Sequence, residues 1–222
     1  MIKAIIFDLD NCLSAAVEVG AQLFEPAFKA IRRANRGTLT EAELKEAFSD
    51  CWRHPLDFVA AKHRFSKEML DAGWEVFAQM EVEVPMHGYP DLDVLAELPV
   101  QRFLVTSGFR RLQESKVKAL GIEHLFTAIH IDAIDEPDRQ GKLRIFETIL
   151  DRHGFKPDEV LVVGDNADSE IDAGNRLWIK TVQVLRPGVT RASKATHHIR
   201  GLAELKELVQ LDRGTSFLEP AR

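Results

Sequence analysis

Short apolar runs punctuate the chain at Ile2–Phe7, Arg102–Val105, Ala128–Ile131, Val160–Val163 and Thr181–Val184. They are β-branched or aromatic and mostly apolar on both faces, the pattern of strands covered on both sides of a sheet. Between the later runs the period becomes helical. Leu112–Leu120 is followed by Gly121 and Leu143–His153 by Gly154, each glycine standing where a helix ends in a left-handed residue. Ala173–Leu177 is a shorter helical pattern and Leu202–Leu211 is the last. The tail Asp212–Arg222 continues no period and is expected to be loosely ordered. Strand and helix alternating at this spacing predict an α/β fold built on a doubly wound parallel sheet.

One gap breaks the alternation. More than 90 residues separate the first apolar run from the second, although a crossover needs only about a dozen. The segment Ser14–His87 has no strand pattern. It carries helical periods near Val19–Asn35, Thr40–Phe48, Pro55–His63 and Ser66–Met80, and Thr40 with Glu43 fits a capping box. The chain is therefore divided into a core, 1–13 with 88–222, and an all-helical insertion, 14–87. Both joins fall near the carboxyl end of the first strand, where open α/β sheets bind ligands.

Composition narrows the setting. The 222 residues are 45% hydrophobic and 29% charged, an ordinary globular balance, with a formal charge of −6. That acidity argues against nucleic-acid or anionic-membrane binding, and no apolar run approaches the ~20 residues of a membrane span. Two cysteines cannot staple a secreted scaffold, and the chain opens directly on its first strand pattern. A cytoplasmic location is expected, as a monomer or weak dimer.

The chemistry gathers at strand ends. The first strand runs into Phe7-Asp8-Leu9-Asp10-Asn11-Cys12, the second into Thr106-Ser107-Gly108, and the fourth into Gly164-Asp165-Asn166-Ala167-Asp168-Ser169-Glu170. Lys142 opens a helix after the polar loop Asp135–Gly141. Acids after a strand often do no more than solvate a turn. Here three strand ends deliver Asp8, Asp10, Thr106 and Asp165 to one crevice, with a lysine beside them. Hard oxygen ligands in that number suit magnesium. A carboxylate attacking a phosphate monoester meets a second anion, and a bridging divalent cation offsets the repulsion. A second carboxyl can serve as acid and then base, while hydroxyl, amides and lysine stabilise the transferring oxygens.

These motifs resemble the haloacid dehalogenase superfamily, specifically its magnesium phosphatases with a helical cap inserted after the first motif. The resemblance implies a Rossmann-like core and hydrolysis of a small phosphorylated metabolite through a phospho-aspartate. It implies Asp8 as nucleophile, Asp10 as general acid and base, and phosphate binding by Thr106, Ser107, Gly108 and Lys142. Gln113, Lys116, Leu120 and Gly121 follow the second motif in the family's arrangement. The resemblance gives Mg2+ to Asp8, Asp10 (through its main-chain carbonyl) and Asp165, with Glu170, Asp168 and Asn166 around them. Two other readings stay open: a metal-independent dehalogenase, and a non-catalytic regulator that binds a phosphorylated ligand.

The chain also departs from the family pattern. Cys12 stands where threonine is usual, Lys142 is close to Ile145-Phe146, Glu170 occupies the second acid position of the fourth motif with Asp168 as its rival, and Trp178 replaces a glycine. The tryptophan is expected to concern packing, and the thiol to be inert for want of a nearby cation. His54, His63, His87, His153, His197 and His198 lack metal-ligand spacing and are assigned to surface or turns. Arg32, Arg33 and Arg36 read as a solvated helix face, and Arg110 and Arg111 as pointing into water. Trp52 and Arg53, between two insertion helices, are candidates for substrate selectivity.

Overall fold

The computed structural model describes residues 1–214, with side chains to residue 210. Its strands are β1 (Ala4–Phe7), β2 (Gln101–Gly108), β3 (Ala128–Ala133), β4 (Val160–Gly164), β5 (Lys180–Val184) and β6 (His197–Ile199). All pair in parallel, in the order β3-β2-β1-β4-β5-β6. The sheet is thus doubly wound about β1, and every carboxyl end lies on one edge.

Alternate residues of the strands bury on opposite faces. Ile5 and Phe7 of β1 join Leu104, Val163 and Val182 on one face. There they meet Val117 of α6 (Arg110–Leu120) and Leu205 and Val209 of α9 (Leu205–Gly214). Ala4 and Ile6 turn the other way, against Ile145, Phe146 and Ile149 of α7 (Gly141–His153) and Ala173 of α8 (Asp172–Arg176). Covered on both sides, β1 and β4 are buried at every position, as their unbroken apolar runs require.

Between β1 and β2 lie α1 (Ala21–Ala34), α2 (Glu41–Asp50), α3 (Leu56–Lys62), α4 (Lys67–Phe77) and a short α5 (Val94–Glu97). Thr40 and Glu43 close the expected capping box: the Thr40 hydroxyl accepts from the Glu43 amide, and the Glu43 carboxylate accepts from the Thr40 amide. Phe24, Ile31, Leu44, Leu56, Met69 and Phe77 form an apolar core of their own, which extends to Phe109 and Leu112. Gly73 lets α4 lie tight on α1, since a Cβ there would stand 2.8 Å from Ile31. The two crossings to this segment run side by side. The Tyr89 amide donates to the Leu13 carbonyl at 2.9 Å, and the Glu18 carboxylate takes the Ser14 hydroxyl and the His87 and Gly88 amides.

Several expectations need correction. β6 carries no apolar run, and it puts His197 and His198 in the sheet rather than in a turn. His63 stands in the turn after α3 as read, and its Nε2 lies 2.7 Å from the Asp50 carboxylate. Arg110 and Arg111 face solvent at the helix start as read, and there they pair with Glu136 and Glu81. α9 passes Leu211 and ends at Gly214; residues 215–222, the rest of the tail, lie outside the described residues. Trp178 is 87% exposed at φ +60°. It stands in the left-handed conformation that explains the usual glycine, and it packs against little.

Candidate active site

Asp8 is the first residue beyond β1, and its amide donates to the Val163 carbonyl of β4 at 2.9 Å, extending the sheet by one bond. Asp10 follows on a tight turn that Asn11 permits by adopting φ +57°, a conformation asparagine tolerates. Thr106 sits near the end of β2, Asp165 directly after β4, and Lys142 in the first turn of α7. Glu170 comes from a wide helical turn, Ala167–Ile171, that leads into α8. All of them line one crevice of about 560 Å3. The sheet topology sets this location, because the connections from β1 diverge to either side there.

Charge in the crevice floor is unbalanced. Lys142 Nζ donates to Asp8 Oδ1 at 2.6 Å and to Glu170 Oε2 at 2.9 Å, and Glu170 Oε1 accepts the Asn166 amide at 2.6 Å. Oxygens of Asp8, Asp165 and Glu170 lie within 4.8 Å of one another, all three side chains buried. Burial pushes the Asp8 and Asp165 carboxyls well above the usual range, and neighbouring Glu170 pushes both further. Burial disfavours the Lys142 ammonium too, but Asp8 and Glu170 outweigh it and keep the lysine charged. One ammonium facing three buried carboxylates leaves negative charge uncompensated, and an all-oxygen donor set of that kind fits a divalent cation. Gly164 makes the cluster possible: a Cβ there would lie 2.3 Å from the Glu170 side chain.

Asp10 faces a different environment. Lys116 Nζ reaches both its oxygens, at 2.9 and 2.8 Å, and Gln113 Nε2 reaches one at 3.3 Å. Its side chain is thus held apart from the buried acid cluster, leaving its carbonyl for any metal role. The buried Thr106 hydroxyl lies 3.4 Å from Gln113 Oε1. Ser107 gives its hydroxyl to Asp132 at 2.9 Å. That proton is committed, so Ser107 and Gly108 can offer a phosphate only their amides. Asp132, at the end of β3, also takes two bonds from Arg139, at 3.0 and 2.9 Å, and one from the Gly141 amide. Arg139 pairs in addition with Asp57 at the start of α3. Sequence reasoning missed Asp132 and Arg139. The acid that closes the β3 run was the available signal.

The helices between β1 and β2 supply the opposite wall. Trp52 is half-buried and stacks on Phe24, with centroids 4.3 Å apart and planes 7° from parallel. Asn11 Nδ2 donates to the Trp52 carbonyl at 3.3 Å, joining the Asp10 turn to this wall. Arg53 is exposed, and its Nη2 donates to the Gly188 carbonyl at 2.6 Å. His54 also lines the crevice, with Nδ1 3.5 Å from Asn166 Nδ2. Asp168 is exposed, so Glu170, not Asp168, joins the buried acids. Cys12 is fully buried, its thiol 3.7 Å from the Val163 carbonyl. A cation does lie near, because Arg186 binds the Cys12 carbonyl. Burial and the carboxylates of Asp8, Asp165 and Glu170 still push the thiol up, which disfavours the reactive thiolate.

A parallel sheet that sets buried carboxylates and a lysine at the end of its central strand defines a class of enzyme, and comparison with known proteins says which. The family described as haloacid dehalogenase-like hydrolase matches residues 2–177, and the chain belongs to it. The protein is therefore a hydrolase. Among curated relatives, a glyceraldehyde 3-phosphate phosphatase of Methanopyrus kandleri is 29% identical over 202 residues, covering 84% of this chain and 85% of the relative. A protein of the same name from Methanocaldococcus jannaschii is 25% identical over 225 residues, covering 95% and 97%. A haloacid dehalogenase-like hydrolase of Streptococcus pneumoniae shares the fold with a TM-score of 0.67, at 16% identity over 93% of this chain and 98% of its own. No helix among the described residues is long and apolar enough to cross a membrane.

Proposed function

We propose that the protein hydrolyses the phosphate monoester of a small metabolite through a phospho-aspartate on Asp8, with Mg2+ as cofactor. The observation that carries this reading is the buried trio Asp8, Asp165 and Glu170 facing the single ammonium of Lys142. Asp8, Asp165 and the main-chain carbonyl of Asp10 would hold the ion, with Glu170 braced behind them. Bound there, the cation would offset the repulsion between the carboxylate and the phosphate.

The remaining chemistry belongs to side chains. An Asp8 oxygen attacks phosphorus, the bond to the ester oxygen breaks, and Asp10 gives that oxygen its proton. Asp10 then takes a proton from water, whose oxygen attacks the same phosphorus. The bond to Asp8 breaks, phosphate leaves, and both carboxyls return to their starting states. Lys142, the Thr106 hydroxyl and the amides of Ser107 and Gly108 counter the phosphoryl charge. A dehalogenase would need neither Asp10 nor Asp165. The helical segment 14–87 would act as a cap, with Trp52 and Arg53 choosing the substrate. The names of both curated relatives make a triose phosphate the first compound to try.

The test is turnover of a generic aryl phosphate and of glyceraldehyde 3-phosphate with magnesium, for the native protein and Asp8→Asn. Activity should vanish on chelation and fall at least a thousandfold in the variant, since an amide cannot form the acyl phosphate. Residual turnover within tenfold of native would remove Asp8 from the mechanism.

A further inference from the structure

Of the buried charged side chains among the described residues, Arg186 alone does not line the crevice. It lies two residues beyond β5, 8% exposed, with its guanidinium 4.0 Å from the centre of the Tyr89 ring. Nη1 and Nη2 grip the Asp91 carboxylate at 3.0 and 2.7 Å, and Asp91 in turn accepts the Leu202 amide at 2.7 Å. The remaining bonds go elsewhere. Nη2 and Nε donate to the main-chain carbonyl of Cys12 at 3.0 and 3.2 Å.

Burying a guanidinium is costly, and an apolar residue would serve better if filling space were the only need. What the charge reaches is the turn that carries Asp10. Within that turn the Leu13 and Ser14 amides return to the Leu9 carbonyl, and the Asn11 amide reaches the Ser14 carbonyl. No main-chain amide among the described residues donates to the Cys12 carbonyl, so Arg186 is what fixes it. Lys116 and Gln113 hold the Asp10 carboxylate from the crevice side. Arg186 holds the main chain from behind.

We infer that Arg186 is a positioning residue for Asp10: clamped by Asp91, it sets the Asp10–Ser14 turn so that the Asp10 carboxyl meets the departing ester oxygen. The inference rests on the reading of Asp10 as the proton donor. It predicts a signature that loss of folding does not give. An alkyl phosphate needs its leaving oxygen protonated, whereas a 4-nitrophenyl phosphate departs with little help. A misplaced Asp10 should therefore penalise the first far more than the second.

The experiment compares kcat/KM, which reports the step that forms the phospho-aspartate, for glycerol 3-phosphate and 4-nitrophenyl phosphate. The proteins are native, Arg186→Met, Arg186→Lys and Asp10→Asn. Arg186→Met should lose about ten- to a hundredfold on the alkyl ester, part of the 10²–10⁴ a proton donor supplies, and less than about threefold on the aryl ester. Arg186→Lys, which keeps the charge beside Asp91 but not the paired donors, should fall between native and Arg186→Met. If Arg186→Met does not fold, Arg186→Lys carries the same criterion alone. Equal losses on both esters, or no loss, would overturn the inference. Asp10→Asn separates the two ideas. If it too lost equally on both esters, the donor role of Asp10 would fail and take the inference with it. If Asp10→Asn were selective while the Arg186 variants were not, only the inference would fall.

Discussion

Lys142 tests the electrostatics of the crevice most directly, because among the described residues its side chain is the one cation bonded to Asp8 and Glu170. Lys142→Met keeps the length and removes the charge. At 8% exposure for the lysine and 1% for Glu170, solvent cannot replace it, and stripping one partner from a buried ion pair costs about 3–5 kcal/mol. That cost assumes ionised carboxylates. Burial already holds Asp8 and Asp165 above the usual range, and losing the lysine raises them further. The folded variant therefore binds protons more tightly than the unfolded chain, so its stability falls as pH rises through the folded-state pKa values. At pH 8.5 the full penalty should apply. At pH 5.5, with Asp8 and Asp165 protonated, the part of the penalty that their charges carry should be gone, and the loss should be smaller than at pH 8.5. Urea unfolding followed by tryptophan fluorescence, with chelator present, would measure the difference from native at both pH values. A penalty that is independent of pH, or larger at pH 5.5, would refute the idea that this lysine balances ionised buried acids.

Three further outcomes follow from the same geometry. The native protein without metal should lose stability between about pH 5 and pH 8.5, because its raised carboxyls must ionise in place, and magnesium should restore it; melting curves in chelator and in magnesium decide this. Asp165→Ala should raise the magnesium needed for half activity far more than Glu170→Ala does, and the reverse order would make Glu170 the direct ligand. Cys12→Thr puts a hydroxyl beside the Val163 carbonyl in place of a thiol 3.7 Å away. One neutral hydrogen bond, about 0.5–1.5 kcal/mol, should raise kcat/KM by roughly two- to tenfold, and a large fall on the same substrate would give the thiol a role of its own.

The doubly wound sheet was legible because the strands that meet at the site are buried on both faces and must be written in apolar residues. β6 escaped notice: only Ile199 of its three residues is buried, and two histidines carry no strand signal. The helices of the insertion could be read from period and caps, Thr40–Glu43 most clearly. Asp8, Asp10, Thr106, Lys142 and Asp165 could be located because each lies at or just after a strand end or opens a helix. What surrounds them was hidden, since it depends on contacts between residues distant in the chain. Asp57 and Arg139 are 82 residues apart, and Cys12 and Arg186 are 174 apart. Ser107 shows a subtler limit. Its position was evident, but only the structure reveals that Asp132 already takes its proton. Trp178 shows another, because the reason for a glycine there was its backbone angle and not its size.

The two chain crossings beside β1 have an evolutionary consequence. Leu13 leaves the core one hydrogen bond from the point where Tyr89 re-enters it, so a turn of a few residues would close the chain with all the intervening helices removed. The core helices α6 to α9 contribute their own apolar faces to the sheet, and excision would cost them mainly the cover over Phe109 and Leu112. The segment between those crossings can be exchanged as a unit, by loss, duplication or transfer, without re-registering a single strand. Under the proposed function, substrate range in such a lineage would change by replacement of a module, while the strand-end residues stay where the sheet put them.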